Sequence, residues 1–205
     1  LYDNTYFCGK SEPMNFLAHA HLSGENDEIL FGNFVADAVK GNELMNYEGD
    51  IRLGIRIHRK IDVFTDRHET FRQSVARIRS SFGKYSGIVV DIYYDHFLAR
   101  NWNDYHRDPL PLFAGHVYDI LLDRYGLLPQ KTKRLLPFLV TQNWLVGYAD
   151  FGGLKRVFYG MDRRTGFGSG MKTAVDELKE NYDDLYSDFS SFYPGLQEYV
   201  FNEIR

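Results

Sequence analysis

Apolar residues recur at helical spacing along nearly the whole chain, and strand-like alternation is weak. That pattern constrains the fold more than any other feature of the sequence. Residues 28–40 place Ile29, Val35, Ala36 and Val39 on one side, with Ser23 placed to cap the start and Gly41 to stop the end. Residues 50–66 repeat Ile51, Ile55, Ile61 and Phe64 at helical intervals. Residues 69–80 are amphipathic, and Gly83 and Gly87 then break the chain. Residues 88–103 are strongly apolar with embedded acids. Further helices are expected over 109–125, 131–148, 153–161, 171–182 and 184–202, with Pro194 kinking or splitting the last. Eight to ten helices joined by short loops make a single all-α domain.

Length and composition agree. The 205 residues suit one domain, and 33 aromatic side chains supply a core without disulfides. The single cysteine, Cys8, excludes an intrachain disulfide framework and any Cys-rich zinc or iron–sulfur site. A metal must therefore be held by His, Asp or Glu. The chain starts at Leu1, and Met14 opens a sharply patterned segment. Residues 1–13 are expected to be an upstream extension or expression remnant, and 14–205 the domain. Neither a membrane-spanning run nor a signal peptide is evident, so the cytoplasm is the expected compartment.

The formal net charge of −4 argues against a dedicated nucleic-acid binder. The charge is uneven. Residues 52–79 carry eight basic groups against three acids, and residues 176–205 carry eight acids against two bases. The basic segment suits an acidic partner or a phosphorylated substrate, or is an ordinary solvated face.

Candidate chemistry comes from four segments. His58 and Asp62 are i,i+4 neighbours on one helix face, so both can reach one point. Asp91 and Asp95 repeat that spacing within an apolar helix, followed by His96. A buried acid must be paired or coordinated. Asp37 lies near the end of its helix, where a carboxylate opposes the macrodipole. His19 and His21 point about 200° apart on a helix, so only one can face a shared site. The set His19 or His21, Asp37, His58, Asp62, Asp95 and His96 offers mixed nitrogen and oxygen ligands suited to Mn²⁺, Fe²⁺ or Mg²⁺. Asp37, His58 and Asp95 are the candidate catalytic groups. Each also has a bland reading, as a hydrogen-bonded core histidine or a salt-bridged acid. The sequence has no GxxxxGK[ST] phosphate loop and no GxSxG elbow.

The segments Met14–Leu22 (MNFLAHAHL), Gly32–Asp37 (GNFVAD), Gly54–Asp62 (GIRIHRKID), Thr65-Asp66 and Asp91–Leu98 (DIYYDHFL) stand in the order typical of bacterial acyl carrier protein phosphodiesterases. Trp144–Asp150 and Gly160–Arg164 extend the likeness. The chain resembles that family from Met14 onward. The resemblance implies hydrolysis of 4′-phosphopantetheine from holo-acyl carrier protein, Mn²⁺ dependence and a divergent, all-helical HD phosphohydrolase fold. It maps Asp37 onto the family's essential aspartate. The adjacent His-Asp dipeptide of the wider superfamily is absent, replaced by Asp95-His96 in reverse order and the spaced His58/Asp62 pair. Acyl carrier proteins are acidic, so the basic segment, with Arg59 and Lys60, suits carrier steering. Arg163 and Arg164 suit phosphate or the carrier's acidic helix. The competing readings are a nucleotide phosphohydrolase and a non-catalytic, carrier-binding helical protein.

Overall fold

A computed structural model describes residues 15–204, leaving aside the side chain of Arg164. The expected extension at 1–13, with Cys8, and the start at Met14 lie outside the described residues. Twelve α-helices run through them: α1 (Phe16–His21), α2 (Asp27–Val35), α3 (Gly49–Arg67), α4 (Glu69–Arg77), α5 (Arg79–Phe82), α6 (Ser86–Arg100), α7 (Leu110–Asp123), α8 (Gln130–Thr141), α9 (Trp144–Gly147), α10 (Phe151–Arg164), α11 (Ala174–Glu180) and α12 (Tyr182–Ile204). Among the described residues there is no strand. None of their helices is long and apolar enough to cross a membrane.

At the centre lies α6. Val89, Val90, Ile92, Tyr93, Phe97 and Leu98 are fully buried along it, so it is covered nearly all round. Helices α1, α4 and α12 pack on it. The most extensive helix pair is α2 with α3. Two glycines make that pairing possible. A Cβ on Gly32 would stand 2.0 Å from the Ile51 carbonyl oxygen, and one on Gly54 would stand 2.2 Å from that of Ile29. The two backbones therefore touch where only hydrogen fits.

Several expected boundaries shift for local reasons. Asn26, not Ser23, caps α2, accepting from the N–H groups of Glu28 and Ile29. Helix α2 ends at Val35, and residues 36–38 tighten into a 3-10 turn that carries Asp37. Gly41 begins another 3-10 segment instead of ending a helix. The helix expected over 131–148 is divided at Asn143, whose φ of 45° is left-handed. Pro194 does not split α12.

The uneven charge has a partly internal explanation. The acidic C-terminal helix α12 packs against α3 and α4, which carry the basic excess. Arg77 pairs with Asp184 at 2.7 Å and Asp188 at 3.5 Å, and Lys60 pairs with Glu203. Some of the basic segment is therefore matched within the chain.

Candidate metal centre

Helix α1 is short and needs anchoring. Asp95 on α6 supplies it by accepting the N–H groups of Leu17 at 3.0 Å and Ala18 at 2.8 Å. This fixes the rotation of α1 and turns His19 towards α2 and α3. His19 is 2% exposed and His58, on α3, is 4% exposed. Their rings stack with centroids 3.9 Å apart. His19 Nε2 lies 3.4 Å from Asp62 Oδ1, and His58 Nε2 lies 3.4 Å from Asp62 Oδ2. His58 Nε2 is also 3.1 Å from Asp37 Oδ1. Behind the rings, Asn33 of α2 is fully buried. Its Oδ1 faces His19 Nδ1 at 2.8 Å and His58 Nδ1 at 3.1 Å.

The electrostatics follow from this crowding. Burial opposes charge on His58, but the hydrogen bond to Asp37 and the charges of Asp37 and Asp62 outweigh it, so its pKa is raised. Burial likewise opposes charge on Asp62, yet the two imidazoles facing it hold its pKa below the ordinary value. The site is built to keep a carboxylate ionised against positive charge.

The donor set fits a cation. One ligand atom each from His19, His58 and Asp62 lies within 4.8 Å of the others. Two ligands of one ion stand at most about 4–5 Å apart, since metal–ligand distances are about 2.0–2.6 Å. His19 Nε2 is buried and makes no hydrogen bond, the one unsatisfied atom in an otherwise connected cluster. Asp37 stands beside His58 and can add an oxygen.

Not every expected residue reaches this point. Between His19 and His21, the structure selects His19. His21 turns to the Tyr193 hydroxyl at 2.7 Å and the Tyr105 carbonyl at 3.1 Å, and burial lowers its pKa to about 4. Asp95 is not among the clustered ligand atoms, and both its oxygens are engaged by α1. Burial pushes its pKa up to about 8 against the opposing pull of those two N–H groups. His96 faces away, with Nδ1 2.7 Å from the Tyr148 carbonyl and Nε2 3.2 Å from the Tyr182 hydroxyl. Burial lowers its pKa to about 4. Arg59 donates to the Val39 carbonyl at 3.3 Å, two residues beyond Asp37, so it borders the cluster. Lys60 is paired with Glu203. Arg163 is exposed on α10, which packs on α9 and α11, while the side chain of Arg164 lies outside the described residues.

Residue-by-residue reasoning missed Asn33. Its signal was an amide set among Phe31, Phe34 and Val35 in an apolar helix. Ser23, expected as a cap, belongs to the same network: its hydroxyl donates to the His19 carbonyl at 2.8 Å and accepts from Asn33 Nδ2 at 3.0 Å.

Asp91 stands near this cluster. It lines a small pocket with Thr65, Tyr94, and Ala18 and Ile61, the residues that precede His19 and Asp62. Burial first, then the charges of Asp62, Asp95, Asp66 and Asp37, push its pKa well above the carboxylate range.

Comparison with known proteins places this geometry in a family. The family model described as acyl carrier protein phosphodiesterase matches residues 14–196. A protein of Photorhabdus laumondii named acyl carrier protein phosphodiesterase is 37% identical over 191 residues, covering 93% of this chain and 96% of the relative. Proteins of the same name from Yersinia enterocolitica and Escherichia coli are each 33% identical, covering 89% and 90% of this chain and 95% and 96% of their own lengths. No solved structure matches, and the expected HD phosphohydrolase fold stays an implication of the resemblance. The matched span takes in every member of the His19, Asn33, Asp37, His58 and Asp62 cluster, and on that span the chain belongs to the acyl carrier protein phosphodiesterase family.

Proposed function

We propose that this chain hydrolyses the phosphodiester joining 4′-phosphopantetheine to the serine of holo-acyl carrier protein. The products are the apo-carrier and free 4′-phosphopantetheine. A divalent cation, Mn²⁺ by resemblance and otherwise Mg²⁺ or Fe²⁺, would be held by His19, His58 and Asp62, with Asp37 as a further oxygen donor. The observation that carries this reading is the convergence of three ligand atoms within 4.8 Å around a buried, unsatisfied His19 Nε2.

When bound, such an ion activates a water molecule and neutralises phosphate charge. The chain's own groups do the rest. Asp37, on its 3-10 turn beside His58, is placed to accept a proton from the attacking water or to orient it. Water oxygen bonds to phosphorus, the bond from phosphorus to the serine oxygen breaks, and the proton given up by the water ends on the serine oxygen. Arg59, which donates to the Val39 carbonyl two residues beyond Asp37, would meet a phosphate oxygen, and its charge suits an acidic carrier.

The test is intact-mass spectrometry of holo-carrier incubated with the Mn²⁺-supplemented protein. Loss of the 4′-phosphopantetheine mass, abolished in Asp37→Asn and His58→Gln, is expected. An unchanged holo-carrier alongside turnover of nucleotides would replace this reading with a nucleotide phosphohydrolase. An unchanged carrier with no cation bound would favour a non-catalytic carrier-binding protein.

A further inference from the structure

The side-chain amide of Asn33 has its orientation fixed by its surroundings. Its Nδ2 lies 2.9 Å from the His19 carbonyl oxygen and 3.0 Å from Ser23 Oγ. The carbonyl can only accept, so the atom facing it must be the NH₂ group. The Ser23 hydroxyl gives its own hydrogen to that same carbonyl, which leaves its lone pair for Asn33. The reverse orientation would press two oxygens together in a site sealed from water. The Asn33 oxygen therefore points the other way, at Nδ1 of both histidines.

An amide oxygen can only accept. Each imidazole nitrogen facing it must carry hydrogen to make a bond, and Asn33, His19 and His58 are all buried. A neutral ring with hydrogen on Nδ1 has its lone pair on Nε2. Those Nε2 atoms are the two that face Asp62. We infer that Asn33 is a positioning residue: its one oxygen favours the Nδ1–H tautomer of His19 and, once a cation is bound, of His58, aiming two Nε2 lone pairs into one cation site.

The two rings differ in how strongly they need it. His19 Nε2 makes no hydrogen bond and faces only Asp62 Oδ1, at 3.4 Å, so the closer Asn33 oxygen, at 2.8 Å from Nδ1, has the stronger hold on the His19 proton. His58 Nε2 faces Asp37 and Asp62, and these carboxylates compete for a proton on that side. For His58, Asn33 and the cation act together, since an occupied Nε2 leaves Nδ1–H as the only hydrogen and Asn33 as its acceptor. Groups behind a ligating histidine commonly change metal affinity by about 10–100-fold.

This inference deepens the metal reading of the same site and rests on it for its purpose. Its first test does not need the metal. Long-range ¹H–¹⁵N spectra of the histidine rings in the full-length, metal-free protein, at a pH where both rings are neutral, should show His19 as Nδ1–H. Adding Zn²⁺, a diamagnetic probe, should bring His58 to Nδ1–H as well. Asn33→Leu should weaken Zn²⁺ binding by about 10–100-fold in calorimetry. Asn33→Asp, which keeps an acceptor oxygen, should restore most of it. Ser23→Ala, which removes one of the two groups that orient the amide but leaves the His19 carbonyl and the Asn33 oxygen, should lose clearly less Zn²⁺ affinity than Asn33→Leu. An Nε2–H tautomer at His19 in the metal-free protein overturns the inference, whatever the variants do. So does Ser23→Ala losing as much affinity as Asn33→Leu, because Asn33 would then act only as a brace. Failure to convert holo-carrier, with the tautomers and the Asn33 dependence as stated, would overturn the carrier reading and leave this one standing.

Discussion

The pair His58 and Asp62 on α3 and the pair Asp91 and Asp95 on α6 share one spacing, yet the fold uses them in opposite ways. Around His58, the polar atoms of four segments converge, and one buried nitrogen, His19 Nε2, is left without a hydrogen bond. Around Asp95, both oxygens are taken by backbone N–H groups, and the neighbouring His96 is bonded on both sides of its ring. Helical spacing puts two side chains on one face; what lies opposite that face decides their role. Opposite α3 are other side chains with lone pairs to offer. Opposite α6 is the start of a helix with hydrogens to place. The second region serves the first, because the Asp95 contacts hold the helix that delivers His19.

The largest effect is expected where the two helices of the cluster touch. Gly54→Ala or Gly32→Ala drives a Cβ into a carbonyl oxygen and should cost about 5 kcal/mol or more, at the extreme of single substitutions. Thermal unfolding measures it, and Mn²⁺ binding should be lost with the α2–α3 contact. A well-folded Gly54→Ala protein that still binds the ion would detach the site from that seam.

Next come the two carboxylates. Asp95→Ala leaves two buried N–H groups unpaired and should cost about 4 kcal/mol. Asp62→Ala, which removes a ligand, should cost about 1 kcal/mol or less, because Asp62 is part-exposed and its two imidazole contacts are long, at 3.4 Å each. Denaturant unfolding and Mn²⁺ titration of both variants make the comparison directly. If Asp62 proves the stability residue and Asp95 the binding one, the two regions have been assigned the wrong way round.

The histidines should titrate in opposite directions. His96 is buried neutral with a pKa lowered to about 4. Between about pH 6.5 and 4 the unfolded chain binds a proton that the folded one does not, so stability falls as pH falls, by up to about 3 kcal/mol. His58 has a raised pKa, so its contribution in the metal-free protein is present below about pH 6.5 and is lost as pH rises through its folded value. NMR titration of the two rings checks the order. His96→Gln should flatten the acid limb of the stability curve.

The smallest effect concerns Asp91. Its pKa is raised, so the folded state holds a proton the unfolded state gives up, and stability declines as pH rises above about 3.9. Asp91→Asn should stabilise the protein at neutral pH by about 1 kcal/mol, or about 2–4 °C in Tm, with the gain vanishing in acid. No gain at neutral pH would show that Asp91 finds a partner when folded.

Much of this was legible in the sequence. Helical periodicity identified the all-α class, because each amphipathic face must be buried against another. The i,i+4 rule placed His58 with Asp62, and the turn angle of a helix required a choice between His19 and His21. What was not legible depended on contacts between segments far apart in the chain. Asp95 reads as a catalytic candidate until α1 is seen to start on it. Asn33 reads as a stray polar residue until two histidines are found on its oxygen. Within the basic excess of residues 52–79, Lys60 and Arg77 read as docking or solvated charges until α12 brings Glu203, Asp184 and Asp188 against them. In each case the deciding partner lies many residues away, where local pattern carries no information.

The central claim is that His19 and His58, and not His96, bind one cation. Pulsed electron paramagnetic resonance of the Mn²⁺-loaded protein, with ¹⁵N-labelled histidine, reads this directly through the nitrogens coupled to the ion. Two coupled imidazole nitrogens are expected, one lost in His19→Gln, the other in His58→Gln, and both retained in His96→Gln. An absence of nitrogen coupling, or a nitrogen lost on replacing His96, would contradict the account.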